Sequence, residues 1–247
     1  LVDAWKENSD GSRSRVAHLG RVEGKIGHHA SATVSVIFDD TPAELIGEVG
    51  GGFAGMLLLM NNARIAVGFE ALGLAECAYR LAREYAHERR SMGKAIAQHE
   101  MIADMLDEMR TDIQAIRALS MRGAQDTEMY NRLRQRMNHF TDADSEKGRA
   151  RAKRLKTLKN RSRAVTPLIK FMAAEKAVEI ARRCIQIHGG SGYTTEYGAE
   201  KLLRDALVLP IYEGTTQIQA LMATKDTLLA ITKDPSGFVK KLTGAWR

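Results

Sequence analysis

Residues 53 to 89 read FAGMLLLMNNARIAVGFEALGLAECAYRLAREYAHER, and they place Ile65, Phe69, Leu72 and Tyr79 at helical spacing. A helix of that length, about ten turns, needs other elements to cover its apolar stripe. The flanking sequence supplies them. Upstream, Gly50, Gly51 and Gly52 mark a loop, and residues 32 to 38, ATVSVIF, alternate as a half-buried strand would before the turn signal Asp39-Asp40-Thr41-Pro42. Downstream, Ile102, Met105, Met109, Ile113 and Ile116 share one face of a second helix. Pro167 suits the first turn of a third, whose face carries Phe171, Ala174, Val178, Ala181 and Ile185. Gly189, Gly190, Ser191 and Gly192 stop it, and a shorter helix follows around Gly198 to Leu207. A last helix begins near Thr216, with Ile218, Leu221, Met222, Leu228 and Leu229 at apolar spacing. The expected fold is mainly α, an up-and-down helical bundle with antiparallel neighbours, preceded by a short β remnant.

Composition agrees with a globular chain. Of 247 residues, 44% are hydrophobic and 27% charged, so there is length enough for a sizeable core. No apolar run approaches the roughly 18 residues of a membrane span, and LVDAWKENSD does not read as a signal peptide. The first residue is Leu rather than Met, which suits a piece of something longer. Cys77 and Cys184 both sit in apolar helical patterns and are expected as buried thiols in a reducing compartment; neither belongs to a metal-ligand cluster. The net charge of +7 is local: residues 130 to 163 carry a net +9 and the rest of the chain −2. That basic stretch is expected as a solvated insertion. With Tyr130 and Phe140 as its aromatics it lacks a stacking platform, so nucleic acid is not the expected partner.

Three stretches could carry chemistry. In IYEGTTQIQ, residues 211 to 219, Thr216 and Gln219 have capping-box spacing, and Glu213 precedes the helix start. Such a carboxylate can simply offset the helix dipole, or it can serve as a base. In QIHGGSGY, residues 186 to 193, the glycines suit either a helix C-cap or a close approach of backbone to a phosphate or ribose. In HERRSMGK, residues 87 to 94, clustered cations and a hydroxyl end the long helix, where they suit either the dipole or a pyrophosphate. His188 has no triad partner, and packing or hydrogen bonding is its favoured role.

Taken in order, these stretches resemble the acyl-CoA dehydrogenase family. The resemblance rests on LIGEVGGGFAGMLLLM (45 to 60), NNAR (61 to 64), ERRSMGKAIAQHE (88 to 100), QIHGGSGYTTEYGAEKLLRDA (186 to 206) and IYEGTTQIQ. It covers the chain from about Arg21, apart from the basic stretch. It implies that residues 1 to 44 are the end of the family's middle β-domain and 45 to 247 its C-terminal helical domain, with a basic insertion at about 130 to 163.

The resemblance further implies FAD-dependent conversion of an acyl-CoA to the trans-2-enoyl-CoA, with a glutamate as the α-proton base. One subset of the family carries that base directly after Ile-Tyr, which here is Glu213; the other carries it one residue before the position of Arg64, which here is Ala63. The same matching assigns FAD contacts to Arg89, Ser91, Glu100, Gln186, Ile187, His188, Gly189, Gly190, Thr215 and Gln217, and substrate-side positions to Arg64 and Gly214. Glu100 stands where Gln is common and Met92 where Phe is usual. Implied partners are an acyl-CoA, an electron-transfer flavoprotein as acceptor, and further copies of the chain in a dimer or tetramer; no metal is implied. Bacterial cytoplasm is the expected compartment ahead of the mitochondrial matrix. The family's N-terminal helical domain and most of its β-domain have no counterpart here, so the 247 residues are expected to be inactive alone. An acyl-CoA oxidase, or a non-catalytic relative that binds DNA or protein, are the alternatives.

Overall fold

The computed structural model describes residues 2 to 140 and 145 to 244. They form two compact units, divided between Met60 and Asn61. The first holds two antiparallel ribbons: β1 (Trp5–Glu7) with β2 (Arg13–Arg15), and β3 (Ala17–Val22) with β4 (Val34–Phe38). The pairing of β3 with β4 slips between Leu19 and Val22. The predicted strand is present, but neither face is half-buried: Val36, Ile37 and Phe38 all stay exposed. Two-stranded ribbons are too narrow to cover their own apolar side chains.

The second unit is helical. α1 (Gly52–Glu88) enters it from the first, followed by a tight hairpin of β5 (Arg90–Ser91) and β6 (Lys94–Ala95), then α2 (Glu100–Met137), α3 (Glu146–His188), α4 (Ala199–Ala206), α5 (Thr216–Lys233) and α6 (Pro235–Gly244). α3 is central, packing against α2, α4 and α5.

Of the large residues that its spacing puts on one face of α1, Ile65 is buried, but most of the inner face is made of small ones. Ala71, Ala75, Ala78, Ala82 and Ala86 have no exposed surface, whereas Phe69 is exposed and Leu72 and Tyr79 only pack at the margin. An alanine stripe lets the neighbouring backbones approach closely, and the volume is filled from α2 and α3 by Met109, Ile113, Ile116, Ile180 and Ile187. Ile169 of α3 fills the space above Gly68 of α1 and Gly123 of α2, where a methyl group on either glycine would collide with it. By composition, one window of α1 is long and apolar enough to cross a bilayer, but from Ile65 onward this packing gives its inner face a protein partner.

Pro167 does not open a helix. α3 begins at Glu146, after Ser145, whose hydroxyl accepts from the Gly148 N–H at 2.9 Å, and Pro167 lies inside it. Proline removes the N–H that Arg163 O would accept; one residue earlier, Thr166 Oγ1 donates to Ser162 O at 2.7 Å, which ties the same turn together from the side chain. The basic stretch is therefore largely helical, forming the end of α2 and the beginning of α3. It is bound down by a bidentate pair from Arg163 to Asp226 and by Arg151 stacked on Phe140. The inner face of α3 is also turned from the predicted one. Ala173, Ala174, Ala177, Ile180, Ala181, Cys184 and Ile187 are buried, while Phe171 is exposed and Val178 and Ile185 are partly covered. Cys77 is exposed and Cys184 alone is buried, its thiol pushed up to about 12 by desolvation.

Candidate active site

The segment from Pro210 to Gln219 is held on every side. Tyr212 donates its hydroxyl to Glu70 of α1, and burial first, then this carboxylate, raises the proton affinity of the phenol. Arg64, also on α1 and 5% exposed, donates through Nε to Glu213 O at 3.1 Å and through Nη1 to Asn61 Oδ1 at 3.3 Å. Gln219 reaches back from α5, with Nε2 at 3.2 Å from Glu213 O and 3.4 Å from Gly214 O. Thr216 anchors the helix start, its hydroxyl donating to Glu175 Oε1 at 2.6 Å and its N–H to Pro210 O at 2.9 Å.

The capping box expected from Thr216 and Gln219 is not formed. Thr215 is the N-cap residue and makes no side-chain cap; one position into the helix, the Thr216 hydroxyl faces α3 rather than the helix's own N–H groups. Gln219 secures carbonyls instead. Both side chains are spent on fixing the loop.

The loop they fix is strained. Glu213 has φ 55°, a left-handed conformation uncommon outside glycine, and Gly214 follows at φ 94°. Glycine is required at 214: a Cβ there would lie 2.5 Å from Gln219 Nε2 and 3.5 Å from Arg64 Nη2. This turn carries the Glu213 side chain inward, where Oε2 is buried with no hydrogen-bond partner among the described residues. Its electrostatic surroundings are cationic. Glu213 attracts Arg64, whose pKa burial lowers, and also Lys170 of α3, whose ammonium burial pushes down to about 8. A carboxylate oxygen out of water with no donor on it can accept a proton without first breaking a hydrogen bond. Ala63, the alternative position for a base, offers no titratable group.

A second group of predicted residues collects at the other end of α1. Ser91, Glu100 and Gln186 line one cavity of about 460 Å³, walled by Ile96, Met101, Ile102 and Met105. The hairpin that presents Ser91 turns through Met92 and Gly93, both with positive φ, and is fastened by Arg90 to Gly93 O at 3.0 Å and by His99 to Ser91 O at 3.2 Å. Glu100 opens α2, and the backbone N–H beside it, then Lys94, hold its carboxyl below the ordinary range. It is thus an acceptor, where Gln would also donate. Arg89 is exposed next to the hairpin. Ile187 and His188 are core residues: the His188 ring stacks on Tyr85 at 4.2 Å, Nδ1 lies 2.8 Å from Cys184 O, and burial lowers its pKa. Gly189, at φ 61°, ends α3 and is exposed together with Gly190, leaving open backbone there. Thr215 and Gln217 stand at the start of α5, beside the Glu213 loop, and do not line this cavity.

Sequence reasoning missed Lys170, Glu175, Glu70 and Tyr212. Lys170 was the legible one, as a lone cation in the apolar run LIKFMAA.

Comparison with known proteins places this architecture. The sequence profile of the acyl-CoA dehydrogenase C-terminal domain matches residues 50–138 and 146–228. The chain is 35% identical over 210 residues to an acyl-CoA dehydrogenase of Bacillus subtilis, covering 84% of this chain and 48% of that protein. It is 32% identical over 213 residues to the CarC subunit of the caffeyl-CoA reductase-Etf complex of Acetobacterium woodii, covering 85% and 48%. The butyryl-CoA dehydrogenase of Megasphaera elsdenii superposes with a TM-score of 0.69 at 26% identity, covering 91% of this chain and 54% of that one. The chain belongs to the acyl-CoA dehydrogenase family, and it spans about half the length of the relatives it matches. The profile match resumes at residue 146, so most of the basic stretch is shared with the family domain.

Proposed function

We propose that this chain supplies the catalytic base and part of the flavin site for the dehydrogenation of an acyl-CoA thioester to its trans-2-enoyl-CoA. The observation that carries the reading is the Glu213 loop: a strained turn, tied by Arg64, Gln219, Thr216 and Tyr212, that holds one buried carboxylate oxygen free of partners. Glu213 removes the α-proton, which the thioester carbonyl makes weakly acidic, and its fixed aim replaces the entropy of finding that geometry. Arg64 and Gly214 border the same spot, Arg64 as a nearby cation and Gly214 as bare backbone.

FAD fits the second group of residues. The cavity beside Ser91 offers a hydroxyl, the Gln186 amide and an apolar wall, and the turn at Gly189 and Gly190 leaves backbone open beside exposed Arg89. When bound, the flavin supplies the acceptor for the β-hydride. Ser91 and Arg89 would hold phosphate oxygens, Gln186 and Gly189 to Gly190 the adenosine part, and Thr215 with Gln217 would meet the cofactor at the start of α5. The two groups lie apart on one chain, which supports a site shared between copies in a dimer or tetramer. The name of the CarC relative supports an electron-transfer flavoprotein as the redox partner. Residues 1 to 44 are proposed as the end of the β-domain and 45 to 247 as the helical domain.

The test is a dye-linked dehydrogenase assay on the natural polypeptide that contains these residues. Glu213→Gln should lower kcat by about 10²- to 10⁴-fold while leaving flavin absorbance bound to the protein. A variant that keeps a tenth or more of wild-type kcat refutes the assignment. Because the chain spans about half of its relatives, the 247 residues with added FAD and acyl-CoA should give no turnover.

A further inference from the structure

Lys170 has no exposed surface, and its ammonium makes no hydrogen bond among the described residues. A primary ammonium is strongly hydrated, and taking one out of water without pairing costs several kcal/mol. A packing role alone would be better met by Met or Leu. What a buried ammonium adds is its field, and the charged groups acting on it are few and come from three directions. Arg64 approaches from α1, Glu175 from the following turns of α3, and Glu213 from the loop ahead of α5. The fully buried polar side chains of α2 and α5, Ser120 and Gln219, carry no charge.

Two of those charges are already committed. Arg64 is engaged with Glu213 O and Asn61, and Glu175 with the Thr216 hydroxyl. Lys170 Nζ and Glu213 Oε2 are the complementary pair left over: both buried, both without a partner, and electrostatically attracted to one another.

We propose that Lys170 is a positioning residue for Glu213, its buried ammonium drawing the carboxylate inward to the place from which it takes the substrate proton. The proposal rests on the reading of Glu213 as the base. The four charges sum to zero with Glu213 ionised and to +1 once it has taken the proton. Protonation of Glu213 therefore weakens the hold of Lys170 on its own proton, and by reciprocity the charge on Lys170 tempers how tightly Glu213 keeps the proton it removes.

Two measurements test this on separate readouts. In the first, the lysine side chains of the natural polypeptide that contains these residues are labelled at Cε and Lys170 is titrated by carbon NMR, in wild type and in Glu213→Gln, which mimics the protonated base. Loss of the carboxylate should lower the Lys170 midpoint by roughly half a pH unit or more; an unchanged midpoint overturns the proposal. In the second, Lys170→Met in the natural polypeptide should move the acid limb of the kcat profile to higher pH. A lowered kcat with an unmoved limb means a structural role only, and also overturns it. Should Glu213→Gln instead keep its turnover, the base assignment fails while the NMR coupling is still read independently.

Discussion

Replacing Lys170 by Met should stabilise the fold, and by an amount that depends on pH. Burial, and then repulsion from Arg64, hold the ammonium at a pKa of about 8 against 10.5 in an exposed lysine, despite the opposing pull of Glu175 and Glu213. That displacement corresponds to roughly 3 kcal/mol of disfavoured charge. The unfolded chain keeps its proton up to about 10.5 and the folded one releases it near 8, so between these values the unfolded state binds more protons and wild-type stability rises with pH. The penalty is fully present below about pH 8 and is gone above the unfolded value. Met has similar length and no charge, and imperfect repacking would take back up to about 1.5 kcal/mol. At pH 7 the variant should thus gain about 1.5 to 3 kcal/mol, or roughly 3 to 12 °C in Tm for a chain of this size. Far-UV circular dichroism melts of both proteins at pH 7, 8.5 and 10 measure it, with the difference shrinking at each step. A variant that melts lower than wild type at pH 7, or a difference that does not change with pH, would show that the ammonium is not disfavoured where it sits. Stability gained while the proposed base is disturbed is the pattern of a functional site built at the expense of the fold.

Two further outcomes are accessible without activity. Gly214→Ala combines a left-handed backbone with a Cβ 2.5 Å from Gln219 Nε2, so urea unfolding should report a loss of about 1 to 3 kcal/mol; a loss under 0.5 kcal/mol would mean the loop relaxes freely. Thiol labelling at pH 8 should consume one cysteine, Cys77, in the native protein and two in denaturant, since Cys184 is buried with its thiol pushed up to about 12. Two fast thiols in the native state would contradict the packing of α3 against α1.

Much of this was legible in the sequence, and the pattern of what was not is physical. The order of the main helices followed from apolar spacing, although α3 starts about twenty residues before the expected Pro167, and the turn at Gly189 followed from a residue type that tolerates unusual backbone. Which face of α1 goes inward was not legible, because periodicity weights large side chains and the close contact is made by alanines, which carry almost no hydrophobic signal. Pro167 misled for a related reason: the rule that proline opens helices describes a single strand of hydrogen bonds, whereas α3 is held on several sides by tertiary packing. At the site, Glu213 could be named from the motif around it, but Lys170 is 43 positions away in the chain. Its meaning lies in which charges the fold brings near it, and that is a property of the packed state. The capping box failed similarly, since the Thr216 hydroxyl is turned away from the helix end to donate to Glu175, a partner that is there only once α3 is in place.

The alanine stripe of α1 has a bearing on the site it never touches. Arg64 and the Arg89 to Ser91 hairpin sit at opposite ends of that stripe, about 36 Å apart along the helix axis. Helices that approach through methyl groups have little slack, because alanine has no rotamer to change and no side chain to bend. α1 therefore acts as a ruler: it fixes the interval between the Glu213 loop and the cavity beside Ser91, and a neighbouring copy that contacted both ends would have to match that interval.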